Sequence, residues 1–466
     1  MDLHGMTASR LLEHLAKGDV TPEEVSSYYA ARVERYNNTF NAYLTIPDPR
    51  NTVFTGKDRK GLLNNIPLAV KDNFCTDGVR TTASAKVLDQ FIPPYDATVI
   101  SRLKAEGAII QGKTNMDAWA HGSSTETSDY GPSMNPWDTK RAPGGSSGGT
   151  AAAVSAGLAP AGIGSETAGS IRQPASWCGI VGLKPTYGRV SRYGVIAMGS
   201  SLDCPGPMTL DVEDAALLLQ TIAGKDRYDA TTADEPVPDY RAEMKKGTRM
   251  TIGVSDEYLD GVDDDVKKNY EQCLKLFEKM GHTIKKVDLI SPNYAISVYT
   301  IIQRAEVSSN LGRYDGIRYG NGRDTFGAEA KRRVMLGTYT LSHGYYDAFY
   351  KKAQKVRTLI TEDFKRAFGE VDAIFAPTTP ITALPLGEFE KYPFFGEKMD
   401  VLNEPGAVSG IPAINIPTGL DRNGLPIGMQ IKAPWFEEGK LLDLAYQFEQ
   451  ETDYFGVIKK GLENYR

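Results

Sequence analysis

Arg141-Ala-Pro-Gly-Gly-Ser-Ser-Gly-Gly149, followed after an apolar run by Gly164-Ser-Glu-Thr-Ala-Gly-Ser-Ile-Arg-Gln-Pro174, crowds glycine and serine as no other part of the chain does. Glycines let backbone approach a ligand closely and turn successive N–H groups inward, while serines supply hydroxyl nucleophiles. A flexible linker is the plain alternative. The flanks argue against it, because they are apolar and strand-like or helix-like, and the segment runs on into Trp177 and Cys178, residues that linkers avoid.

Outward from this segment, helix and strand signals alternate over the whole chain. Thr21-Pro22-Glu23-Glu24 combines an N-cap hydroxyl, proline at the first helical position and a glutamate three residues on, a capping box that predicts a helix over roughly Pro22 to Arg35. Asp211-Val-Glu-Asp214 opens another, closed near Gly224. Short apolar runs bounded by turn residues read as buried strands: Ile66 to Lys71, Ala108 to Gly112, Thr251 to Val254, Ala373 to Ala376, Ala413 to Ile416 and Gly428 to Ile431. The expected architecture is one large α/β domain with a mixed or parallel sheet and a helical excursion between about 260 and 370.

Composition narrows the class. With 466 residues and 41% hydrophobic positions the chain can bury a large core, and four cysteines in no CxxC pair exclude a disulfide-stapled mini-protein. The cysteines are expected to be reduced. A formal net charge of −6 argues against gripping nucleic acid through a basic surface. The longest apolar stretch, Ala151 to Gly164, is broken by Ser155, Gly157 and Pro160, so no membrane span is expected. The N-terminus lacks the features of a signal or transit peptide, and the expected location is the cytoplasm, or an organelle after maturation.

Several chemistries can be tested on residues 141–182. A P-loop needs a lysine that Gly144 to Thr150 does not contain, and no GxGxxG occurs there. Gly144-x-Ser146-x-Gly148 has the letters of a nucleophile elbow, which then requires a later histidine. Only His282 and His343 follow, neither in a setting typical of a base, and no strand precedes Gly144. Histidine pairs or cysteine clusters with metal-ligand spacing are absent. A serine hydrolase without histidine can use a lysine whose burial makes a neutral amine available. Lys71, at the end of the apolar run Ile66-Pro-Leu-Ala-Val-Lys71, is the candidate, against the alternative of a strand-end lysine reaching to solvent. Ser101-Arg-Leu-Lys104 lies on an amphipathic helix and reads as surface.

Taken together, Ala69-Val-Lys71-Asp-Asn73, Pro143 to Gly149, Gly169-Ser170-Ile-Arg-Gln-Pro174 and Cys178-Gly-Ile-Val-Gly-Leu-Lys-Pro-Thr186 resemble the amidase signature family, in its order and at its intervals. Further stretches are similar to the branch of that family that serves as the amidase component of tRNA-dependent amidotransferases. These are Gly122 to Ser128, Tyr187 to Tyr193, Arg313 to Gly320, Lys331 to Thr338 and Gly344 to Asp347. The resemblance runs along nearly the entire chain. It implies a single amidase domain over 1–466, with a signature core at about 60–210 and a central mixed β-sheet covered by helices on both faces.

By the same resemblance Ser170 is the nucleophile, Ser146 the bridging serine in a cis peptide, and Lys71 the base. Backbone N–H groups of Thr167, Ala168, Gly169 and Ser170 are implied as the oxyanion hole. Arg333 is implied to hold the α-carboxylate of glutamine and Asp400 its α-ammonium, with Tyr299 lining the pocket. No cofactor is implied in this chain. A tRNA-binding partner subunit would use ATP and Mg2+ to activate the glutamate of misacylated Glu-tRNA(Gln), and a small third subunit would complete the complex. A stand-alone amidase on small amides and a non-catalytic scaffold remain the rival readings. Two positions depart from the family pattern, which usually has glycine at Ala168 and aspartate at Glu166. Were a positive φ needed at 168, alanine would add strain of about 1 kcal/mol or more.

Overall fold

A computed structural model of the chain describes residues 1–47, 54, 61–318, 321–389, 391, 395–452, 458, 460, 461, 463 and 465. Tyr319 and Gly320, at the end of the Arg313 motif, lie outside them. Among the described residues eleven strands form one sheet: β1 (Tyr43–Thr45), β2 (Pro67–Lys71), β3 (Ile109–Thr114), β4 (Ala161–Glu166), β5 (Val181–Lys184), β6 (Cys204–Thr209), β7 (Thr251–Val254), β8 (Thr283–Lys286), β9 (Ala373–Pro377), β10 (Ala413–Leu420) and β11 (Pro426–Lys432). Their order is β1-β3-β2-β4-β6-β5-β10-β11-β9-β7-β8. Pairing is parallel for β3-β2-β4 and for β9-β7-β8, and antiparallel elsewhere. The sheet is therefore mixed.

Successive strand residues point to opposite faces, so a strand buried at every position has both faces covered. That holds for β2, β4, β5, β6, β9 and β11. All six apolar runs singled out in the sequence lie in strands. The strands not foreseen are β1, β4, β5, β6 and β8. In β6 the reason is plain: Pro205 and Pro207 remove two ladder donors, a pattern that argues against a central strand, yet six residue pairs join it to β4. The excursion between 260 and 370 holds the helices Asp264–Lys279, Asn293–Asn310, Ala328–Thr340 and Lys352–Phe368, but β8 interrupts it and pairs with β7.

The first capping box forms as read, with Thr21 Oγ1 accepting from Glu24 N–H and Glu24 accepting from Thr21 N–H. Its helix runs further, Pro22–Phe40, because Val25, Tyr29, Val33 and Phe40 continue a buried stripe. Asp211 caps Val212–Ile222. The helix Gly148–Ser155, directly after the glycine-serine segment, is buried on every side. Its small residues let it lie close against β2 and β4, which brings Ser146 to the end of β2.

Candidate active site

Lys71 closes β2 between two parallel neighbours, β3 and β4, where nothing exposes it to solvent. The solvent-reaching alternative is overturned: the side chain is fully buried and turns along the strand ends. Its Nζ donates to Ser146 Oγ at 2.8 Å and to the Ser165 carbonyl at 2.9 Å. Burial drives the amine down to about 7, against the weaker upward pull of Asp117, Asp203 and Glu166. A neutral amine is thus available near neutral pH.

The Gly145–Ser146 peptide is cis. Side chains from distant segments grip this turn. Gln173 Oε1 accepts from Gly145 N–H at 2.8 Å, and Thr125 Oγ1 donates to the Gly144 carbonyl at 2.6 Å. Asp117 N–H donates to the Ser146 carbonyl at 3.2 Å. Residue 145 must be glycine, since a Cβ there would lie 2.0 Å from Asp117 Oδ2 and 2.7 Å from Ser124 N. The next residue ties the two halves of the site: Ser147 N–H donates to the Ser170 carbonyl at 3.2 Å, and Ser147 Oγ to the Ser165 carbonyl at 3.2 Å.

Residues 167–170 form a loop bracketed by a buried ion pair. Glu166 and Arg172 are both buried, and the guanidinium donates to Glu166 Oε1 through Nε, at 2.9 Å, and Nη2. Glu166 Oε2 also accepts the N–H groups of Ile171 and Arg172, each at 3.1 Å. Arg172 reaches on to the Ala168 carbonyl at 2.9 Å and to Gln430 Oε1 at 2.6 Å. Inside the bracket, among the described residues, no protein acceptor takes the N–H of Thr167, Ala168, Gly169 or Ser170. Ser170 is 4% exposed. Ala168 does not adopt a positive φ, so the conditional strain does not arise.

Beside the loop, Thr167 Oγ1 and Tyr299 Oη lie 3.0 Å apart. Burial pushes the Tyr299 phenol up, with the Arg333 charge opposing. Arg333 sits on Ala328–Thr340, and its Nε donates to Glu329 Oε1 one turn earlier at 2.6 Å. Among the described residues its two terminal amino groups have no protein acceptor. Asp400 accepts from Ser123 Oγ through Oδ2 at 2.7 Å, while Oδ1 has no protein partner among the described residues. A Cβ on Gly169 would fall 2.0 Å from that free oxygen, so only glycine lets Asp400 reach the loop. Burial pushes the Asp400 carboxyl up to about 8.

Motif reading missed Asp117, Ser123, Arg172, Gln173 and Glu329. Ser123, Arg172 and Gln173 fall inside quoted motifs, but nothing local there marks them as site residues. The elbow's histidines are elsewhere: His282 Nδ1 accepts from Met250 N–H at 3.2 Å, and His343 is exposed. Lys104 makes a surface ion pair with Asp96 at 2.9 Å. The four cysteines are free thiols, all buried. Among the described residues no group of three or more His, Cys, Asp or Glu side chains could hold a metal ion, and no helix is long and apolar enough to cross a membrane. A cavity of about 600 Å³ lies apart from the serines, lined by Phe91, Tyr95, Ile196, Arg313 and Tyr314 among others.

Residues 24–442 match the family described as Amidase. The A component of the glutamyl-tRNA(Gln) amidotransferase of Halothermothrix orenii is 50% identical over 469 residues, covering 97% of this chain and 98% of that protein. Its counterpart in Carboxydothermus hydrogenoformans is 46% identical, covering 97% and 99%. The crystal structure of the corresponding glutamyl-tRNA(Gln) amidotransferase component from Thermotoga maritima superposes with a TM-score of 0.84 at 40% identity, covering 96% of this chain and 94% of that one.

Proposed function

The chain belongs to the amidase family, and on the strength of its buried Lys71–Ser146 contact we propose that it is the glutamine-hydrolysing component of a tRNA-dependent amidotransferase. Neutral Lys71 takes a proton from Ser146, Ser146 takes one from Ser170, and Ser170 Oγ attacks the side-chain carboxamide carbon of glutamine. The oxyanion that forms is met by the unused N–H groups of residues 167–170, each such donor being worth about 3 kcal/mol. Collapse breaks the C–N bond, and the proton returns through Ser146 to the departing ammonia. Water then cleaves the glutamyl ester by the same relay.

Glutamine is selected at its far end. Arg333, oriented by Glu329, presents free amino groups to the α-carboxylate in bidentate fashion. The free oxygen of Asp400 receives the α-ammonium, and Tyr299 closes the pocket against Thr167. Ammonia passes to a partner subunit that binds Glu-tRNA(Gln) and uses ATP and Mg2+, with a small third subunit in a cytoplasmic complex. The acidic balance of this chain supports that division, since tRNA is then gripped by the partner.

The test is ammonia release from glutamine, asparagine and simple amides, by the chain alone and with its partner subunits, ATP and Glu-tRNA(Gln). Preference for glutamine, dependence on the partners and loss in Ser170→Ala are expected. Turnover of simple amides regardless of partners would mean a stand-alone amidase, and no turnover of any amide would mean a scaffold.

A further inference from the structure

Among the described residues Lys71 Nζ has two hydrogen-bond partners, and only one of them, Ser146, belongs to the proton relay. A neutral amine carries two N–H donors and one lone pair, so its use as a base depends on where the lone pair points. The Ser165 carbonyl, 2.9 Å away, can only accept; it holds one N–H of Lys71 and leaves the lone pair for the Ser146 hydroxyl at 2.8 Å. The sheet leaves that carbonyl to side chains. Pairing of β4 with β2 ends at Ile163, and the residue opposite Ser165 on β6 is Pro205, which has no N–H to give. Ser147 Oγ donates to the same carbonyl at 3.2 Å.

With no ladder bond to fix it, the direction of this carbonyl depends on how residue 165 is held from its side chain. Asn73 Nδ2 donates to Ser165 Oγ at 2.8 Å. Asn73 lies two residues beyond Lys71 and is anchored in turn by Ile196 N–H, which donates to its carbonyl at 2.8 Å. It is buried, and among the described residues its Oδ1 has no protein partner, so the amide is kept although one of its polar atoms goes unmet. Packing alone would be served better by an apolar side chain. We propose that Asn73 is a positioning residue for the base: acting through Ser165, it fixes the carbonyl that turns the Lys71 lone pair toward Ser146. This assignment rests on the reading of Lys71 as the base given above. One short segment at the end of β2 thus supplies both the base and the grip on its acceptor.

The test measures ammonia release, on the full chain in its complex, by Asn73→Ala, Ser165→Ala and the double variant, with glutamine and with a simple amide. Each single variant is expected to lower kcat about tenfold, the order of one lost hydrogen bond, with KM nearly unchanged. The fall is the same for both amides, because the contact serves the base and not the substrate. The double variant loses no more than either single one, since both changes break the same link. Multiplied losses of about a hundredfold in the double variant, a loss confined to KM, or Asn73→Ala at the wild-type kcat would overturn the assignment. Should Asn73→Ala not fold, Ser165→Ala, which removes a single oxygen, carries the same prediction for kcat, and a wild-type kcat there would overturn it equally. Lys71→Met at the wild-type rate would instead remove the base reading itself, an outcome distinct from an unchanged Asn73 variant beside an inactive Lys71→Met.

Discussion

Lys71 Nζ stands 2.8 Å from Ser146 Oγ, with both side chains buried, so the proposed base and the proposed relay are in contact. Lysine is needed here for the proton it can lose. Arginine keeps the charge and stays protonated at any accessible pH. Lys71→Arg and the neutral Lys71→Met are both expected to lower kcat by about 10²–10⁴-fold, the usual worth of a positioned base. Ammonia release measures this. An Arg variant within tenfold of wild type would contradict the role.

The pH dependence follows from the same groups. Lys71, at about 7, must be unprotonated to act, and Asp400, at about 8, must be unprotonated to hold an ammonium. Both active forms lie above their pKa, so activity is present at high pH and lost as pH falls. For glutamine, kcat/KM should rise through both ionisations; for a simple amide without an α-amine, only through the one near 7. Parallel profiles for the two substrates would show that Asp400 does not meet the ammonium.

Arg172→Leu removes one half of the buried bracket and leaves Glu166 uncompensated among Ile171 and the loop. Breaking a buried pair from one side costs about 3–5 kcal/mol. Thermal unfolding should show that loss, and amidase activity should fall with it because residues 167–170 lose their anchor. A variant as stable as wild type would mean that Arg172 is dispensable to the loop.

In the proposed glutamine site Glu329 would act on substrate only through Arg333, from whose Nε it accepts a hydrogen bond at 2.6 Å. Glu329→Gln should raise KM for glutamine severalfold with kcat nearly unchanged, since the guanidinium remains but is held less well. Arg333→Lys, which loses the planar fork, should raise KM about a hundredfold. Equal effects on an amide lacking the α-carboxylate would assign both residues a purely structural part.

Local chemistry made much of this chain readable. The capping box of Thr21, the strand ending at Lys71 and the glycine-serine turn at Ser146 are all set by neighbours in sequence. The strands β4, β5 and β6 were hidden because their glycines, serines and prolines serve close packing around the loop and not strand propensity. Glu329 apart, which sits one turn before Arg333, the missed site residues have partners distant in sequence: Ser123 meets Asp400 across 277 positions, and Arg172 meets Gln430 across 258. Periodicity carries no information about such pairs.

The proposed mechanism passes through one covalent bond, the ester between Ser170 Oγ and the glutamyl carbonyl. The direct measurement is peptide mapping by mass spectrometry after acid quenching of the chain, in its complex, with glutamine. A glutamyl adduct on the peptide carrying Ser170, absent in Ser170→Ala and accumulating in step with the first equivalent of ammonia, is the predicted result. Ammonia released at the wild-type rate by Ser170→Ala, or an adduct on any other residue, would contradict it.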